Sequence, residues 1–152
     1  MKNIVLRPEK IARDSRISAE DYRALAEFRY RVRIFLTFSE RNARQAGIHP
    51  QQHRLILAVK GMPPNVAPSI RNLAQRLQIE HHSAVELIDR AAAKGLVVRR
   101  SDSGDRRVVH VEVTPKAEKI LAQLSMRNKE ELRQAAPALV RALRSLTRES
   151  AR

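Results

Sequence analysis

At 152 residues the chain suits one domain with a core that needs no covalent staples. It has no cysteine, which excludes a disulfide framework, a thiolate metal site and a thiol redox switch. The formal charge of +14 and a pI of about 11.4 favour a polyanionic partner, nucleic acid ahead of an acidic membrane surface. That charge is uneven, with six Lys or Arg and no acid between Arg41 and Ile79. No stretch approaches the roughly 18 consecutive apolar residues of a membrane span. The opening MKNIVLRPEKIARDSR lacks a long apolar segment and carries Glu9 and Asp14, unlike a signal peptide. A cytoplasmic protein is expected, nucleoid-associated when it is bound to DNA.

Residues 1–17 read as an arm, with Pro8 and mixed charge interrupting any periodicity. Ser18 and Asp21 form a capping-box pattern, and a long helix follows. Its apolar residues Tyr22, Leu25, Phe28, Val32, Phe35 and Leu36 recur at spacings of three and four, and Gly47 ends it. Such a stripe is core or dimer seam before it is a ligand box. Pro50 stands at a first helical position, and QQHRLILAV continues a short helix to Gly61. The run MPPNVAPS cannot be helical and forms an extended connector, with Val66 placed to add a small strand.

From Ser69 onward the pattern changes. Ser69 caps a helix over Ile70–Leu77, whose Ile70, Leu73, Ala74 and Leu77 share a face. A second helix, about His81 to Lys94, aligns Ala84, Leu87, Ile88 and Ala91 and stops at Gly95. LVVRR and RRVVHVEV are β-branched runs flanking SDSGD, a hairpin loop in which Asp102 sets the turn. Thr114-Pro115 starts another helix with Ala117, Ile120, Leu121 and Leu124 on its stripe, running to about Gln134. Pro137 predicts a break or kink, and a last helix carries Leu139, Val140, Leu143 and Leu146.

These elements define a mainly α fold with a small β-wing: a winged helix-turn-helix at about 50–114, flanked by helical segments at 18–47 and 115–152, within one domain. The flanking stripes exceed what a unit of about 70 residues around the wing needs. They point to a homodimer over a monomeric five-helix core, and a two-fold axis suits a palindromic DNA site.

The candidate DNA-binding residues follow from that placement. Arg106 and Arg107 at the hairpin can enter a narrow, electronegative minor groove, with Asp105 orienting one of them. His81, His82 and Ser83 crowd the first turn of the second helix, where bases or phosphates are met. Glu86 can accept from a cytosine amino group or neutralise Arg90, its i+4 neighbour. Arg71 and Arg76 on the preceding helix are candidates for phosphate contacts that position without specifying. Adjacent histidines on a helix point about 100° apart and rarely share an ion, so no metal or cofactor is expected. No phosphate-binding glycine loop or Ser–His–acid arrangement marks an enzyme.

The order of elements, with SIRNLAQRLQIEHHSAVELIDRAAAKGLVVRR, the wing DSGDRR and VTPKAEKIL after it, resembles the MarR family of bacterial winged-helix transcriptional regulators over roughly Tyr22 to Leu146. The resemblance implies a homodimer with intertwined terminal helices, a recognition helix at about His81 to Lys94, and a wing Asp-x-Arg at Asp105 and Arg107 whose arginine enters the minor groove. It also implies a repressor that binds double-stranded DNA and is released by a small aromatic or anionic effector, held between the helical region and the winged unit. Arg29, Arg33 or His53 could hold an anion there, and each equally fits a surface or packing role. Glu86 departs from the relatives' DNA-friendly side chains, Gly104 loosens the wing tip, and the missing cysteines exclude the thiol-based peroxide sensors. The competing expectation is a winged-helix module for protein interaction or non-specific nucleic-acid binding, which would not separate promoter from random DNA.

Overall fold

The structure, a computed structural model, describes residues 17–101, 104 and 107–148. The arm expected at residues 1–17 therefore lies outside the described residues but for Ile17. Helix α1, Ala19–Gln45, opens on the capping box read from Ser18 and Asp21. Ser18 N donates to Asp21 Oδ2 at 2.8 Å, and Asp21 N donates back to Ser18 Oγ at 3.1 Å. Gly47, at φ +83°, closes the helix in the left-handed region that glycine adopts without steric cost.

Helix α2, Pro50–Lys60, starts at proline as expected, and its cap is His49. His49 Nδ1 accepts from Gln51 N at 3.2 Å while Gln52 Oε1 accepts from His49 N at 3.0 Å. The connector that follows holds one departure from the sequence reading. Val66 is exposed and closes a turn onto Pro63 O, and the strand-like pairing falls at Pro68 and Ser69 instead. Ser69 bridges His110 antiparallel, and Val111 N donates to Pro68 O at 2.9 Å. Proline has no N–H to give but keeps its acceptor, so it can sit at the edge of a ladder.

Helix α3, Ile70–Leu77, is capped by Ser69 Oγ, which accepts from Asn72 N at 3.2 Å. It ends on Gln78 at φ 55°, a left-handed non-glycine residue that turns the chain sharply into α4, His81–Ala93. Strands β1, Val97–Ser101, and β2, Val109–Val113, pair antiparallel with Arg99 opposite Val111 and Arg100 opposite His110. The second strand is shorter than the RRVVHVEV run.

Helix α5, Pro115–Thr147, begins where Thr114 Oγ1 accepts from Ala117 N at 3.2 Å. It runs unbroken through Pro137, which corrects the expectation of two helices. A proline removes one backbone hydrogen bond, and the surrounding Ala135, Ala136 and Ala138 are the strongest helix formers available to carry the chain across the gap.

The chain forms two compact units, one of Phe35–Gln134 and one of residues up to Ile34 and from Ala135 onward. The first holds the core: Leu55, Ile56, Leu73, Ile88, Leu96, Val97, Val111 and Leu124 are its largest fully buried side chains. Every residue of the α4 stripe, Ala84, Leu87, Ile88 and Ala91, is buried. The second unit buries only Ala24 and Ala142 among its described residues, while Tyr22 is 65% exposed and Leu143 48%.

Candidate nucleic-acid interface

The apolar stripe of α4 faces the core, so the opposite side of the helix faces solvent. His81, His82, Glu86 and Arg90 are exposed there, and Ser83 is half-buried beside them. Arg71 and Arg76 are exposed on α3. Among the described residues Glu86 and Arg90 form no ion pair, which leaves the carboxylate open to an outside donor. Arg107 is exposed at the turn before β2. Asp105 and Arg106, with Asp102 and Ser103, lie outside the described residues.

Not every basic residue near the hairpin is available to a partner. Arg99 Nη1 meets Asp89 Oδ1 of α4 at 2.6 Å, and Arg100 Nε meets Glu112 Oε2 of β2 at 3.2 Å. Strand alternation separates the two arginines: Arg99 shares a face with Val97 and Val111, Arg100 with Val98, His110 and Glu112. The helical spacing puts Asp89 on the side of α4 opposite the apolar stripe, but it does not show which strand residue the carboxylate meets.

Sequence reading passed over Arg54. From α2 its Nη2 donates to Leu77 O at 3.2 Å, satisfying one of the carbonyls left open at the end of α3. Asn72 Nδ2 likewise donates to Ala67 O at 2.9 Å, tying the connector to α3. These two bonds brace the helix pair from behind. Sequence gives little sign of either bond: Arg54 sits midway along α2, and the carbonyl it meets belongs to another helix.

His53 lies differently from what an effector site requires. It is 3% exposed, its Nε2 has no hydrogen-bond partner, and burial pushes its imidazole pKa below the usual value. Enclosed in the core, the ring fits the packing role that the sequence also leaves open for it. Arg29 and Arg33 are exposed on α1. Between α2 and α5 lies a cavity of about 280 Å³, with Leu57, Leu121 and Ala122 on its walls and the Lys60–Glu118 ion pair at its rim. Among the described residues, no three His, Cys, Asp or Glu side chains gather as a metal site would need. No helix among them is long and apolar enough to cross a membrane.

Two helices joined at a left-handed turn, a two-stranded wing and an exposed polar face on the second helix define a winged helix-turn-helix protein. Residues 46–108 match the model of the MarR family. Solved structures share the fold. The MarR family transcriptional regulator AbsC from Streptomyces coelicolor aligns with a TM-score of 0.66 at 13% identity, covering 80% of this chain and 82% of its own. NadR in complex with 4-hydroxyphenylacetate aligns at 0.62 and 24% identity, covering 83% and 84%. A point mutant of S. aureus MepR bound to an oligodeoxyribonucleotide aligns at 0.60 and 20% identity, covering 83% and 98%. No curated protein sequence matches the chain. Together these matches show that the chain has the winged-helix fold of MarR-type proteins.

Proposed function

We propose that the protein is a homodimeric, sequence-specific transcriptional regulator, acting as a repressor at a palindromic operator in double-stranded DNA. The observation that carries this is the solvent face of α4, where His81, His82, Ser83, Glu86 and Arg90 stand beside the wing and opposite a fully buried stripe. In this reading α4 enters the major groove, and Arg106 and Arg107 enter the adjacent minor groove with Asp105 orienting one of them. Arg71 and Arg76 hold phosphates and fix the register. Glu86 contributes specificity by accepting from cytosine, since a carboxylate repels phosphate. The formal charge of +14 speeds encounter with DNA and makes affinity steeply salt-dependent.

The exposed apolar side chains of α1 and α5, Tyr22, Leu25, Val140 and Leu143 among them, support dimerisation through the 18–47 and 115–152 segments. The cavity between α2 and α5 supports release by a small ligand, whose apolar body would meet Leu57 and Leu121 while its charged group competes for Lys60. Such a ligand acts by favouring a dimer whose two recognition helices are wrongly spaced.

The test is selection of bound sequences from random duplex DNA. A palindromic consensus, with specific binding tighter than random by about 10³ or more, supports the reading. Uniform recovery would favour a non-specific nucleic-acid or protein-interaction module. Replacing Arg106 and Arg107 together by alanine should weaken operator binding and reduce the salt slope by about two, read by titration across salt concentrations.

A further inference from the structure

The wing and the recognition helix are separate pieces of chain, and DNA that engages both must find them at one angle. Val97 and Val111 on the inner face of the wing pack with Ile88 and Ala91 of α4 in the common core. Arg99 continues that inner face by one strand repeat, and its side chain is still only 37% exposed. At that point apolar packing gives way to charge, and Asp89, next to Ile88 on α4, meets Arg99 at 2.6 Å. Asp89 is therefore an acid on the helix that the proposed function sends into DNA. Its presence there needs a reason, because an unpaired carboxylate would weaken binding to a polyanion.

We propose that Asp89 and Arg99 are a positioning pair that holds the wing at a fixed angle to the recognition helix, and so tell operator from random DNA without touching a base. This rests on the DNA-binding reading and deepens it. Operator binding requires helix and wing to be seated together, so a loosened wing lowers it. Random DNA is held by phosphate contacts that tolerate a range of angles, so the same loosening leaves it unaffected. Arg99 is thereby a positioning residue, already committed to Asp89, and the carboxylate is neutralised where it stands.

The substitution Asp89→Asn separates this role from simple electrostatics. Removing a negative charge from a DNA-binding surface should tighten binding to every sequence if charge alone matters. A positioning role predicts the opposite for operator: affinity falls about three- to fivefold, the range of an exposed ion pair, while affinity for random DNA holds or rises. Arg99→Gln should give the same loss of the operator-to-random ratio with the salt slope unchanged. The charge swap Asp89→Arg with Arg99→Asp should recover most of that ratio, and thermal melts would confirm that each variant folds. Tighter operator binding by Asp89→Asn overturns the proposal. So does a salt slope that drops by about one in Arg99→Gln, the mark of a direct phosphate contact, or a charge swap as weak as the single variants. Wild-type protein that shows no preference for any sequence overturns the underlying function and the positioning role with it.

Discussion

His53 is a histidine buried in the core with Nε2 unpartnered, and desolvation lowers its pKa. In the unfolded chain the ring titrates near 6.5, the ordinary value of a solvated imidazole. As pH falls below that value the unfolded state takes up a proton that the folded state refuses, so stability decreases with falling pH between the unfolded and the folded pKa. Above about pH 7 the ring is neutral in both states and the full stability is present. Urea unfolding should show wild type losing up to about 1.4 kcal/mol per pH unit from this group within that window. His53→Leu should flatten that part of the profile and cost less than about 1 kcal/mol at neutral pH, since it removes an unpaired polar atom along with the ring. A pH dependence unchanged by the substitution would assign the effect to other groups.

At the scale of elements, Ser69 has two separate tasks. Its hydroxyl caps α3, and its backbone bridges His110 at the edge of the wing. Ser69→Ala removes only the first, so denaturant unfolding should show a loss of about 1 kcal/mol with the wing bridge intact. A loss several times larger would mean that the cap and the wing edge fold as one. The same element scale explains why Pro137 misleads. A proline inside a helical pattern predicts a stop from its own chemistry, yet one missing hydrogen bond and a local clash are outweighed when alanines flank it and the helix has long arms on both sides.

For the whole molecule, the unit formed by residues up to Ile34 and from Ala135 onward has little interior of its own. Its exposed Tyr22, Leu25, Val140 and Leu143 are the surface that the proposed dimer would cover. Replacing Leu25 and Leu143 together by lysine removes four buried side chains from a symmetric interface and places charge there. Sedimentation equilibrium should then show the dimer dissociation constant raised by roughly a hundredfold or more, since each lost burial is worth about 1.5 kcal/mol or more. Unchanged association would place the interface elsewhere. Operator affinity should fall in parallel, because one winged unit then contacts one half-site alone.

Much of this architecture was legible in the amino-acid order. Ser18 with Asp21, Pro50, Ser69, Gly95 and Thr114-Pro115 mark helix ends through interactions within a few residues, which is why those boundaries match the structure closely. The stripe of α4 was equally plain, because burial on one face of a helix imposes its spacing directly. Tertiary structure decided what depends on chain segments far apart in sequence. It turned Pro68 and Ser69 into the edge of the wing, assigned Arg99 and Arg100 to carboxylates within the protein, and enclosed His53 in the core. Arg99 and Asp89 are ten residues apart, on a strand and a helix. Only the packing of Val97 and Val111 with α4 brings that guanidinium and that carboxylate together. Local rules determine where elements begin and which face is apolar; the partner of each charge is set by which faces meet.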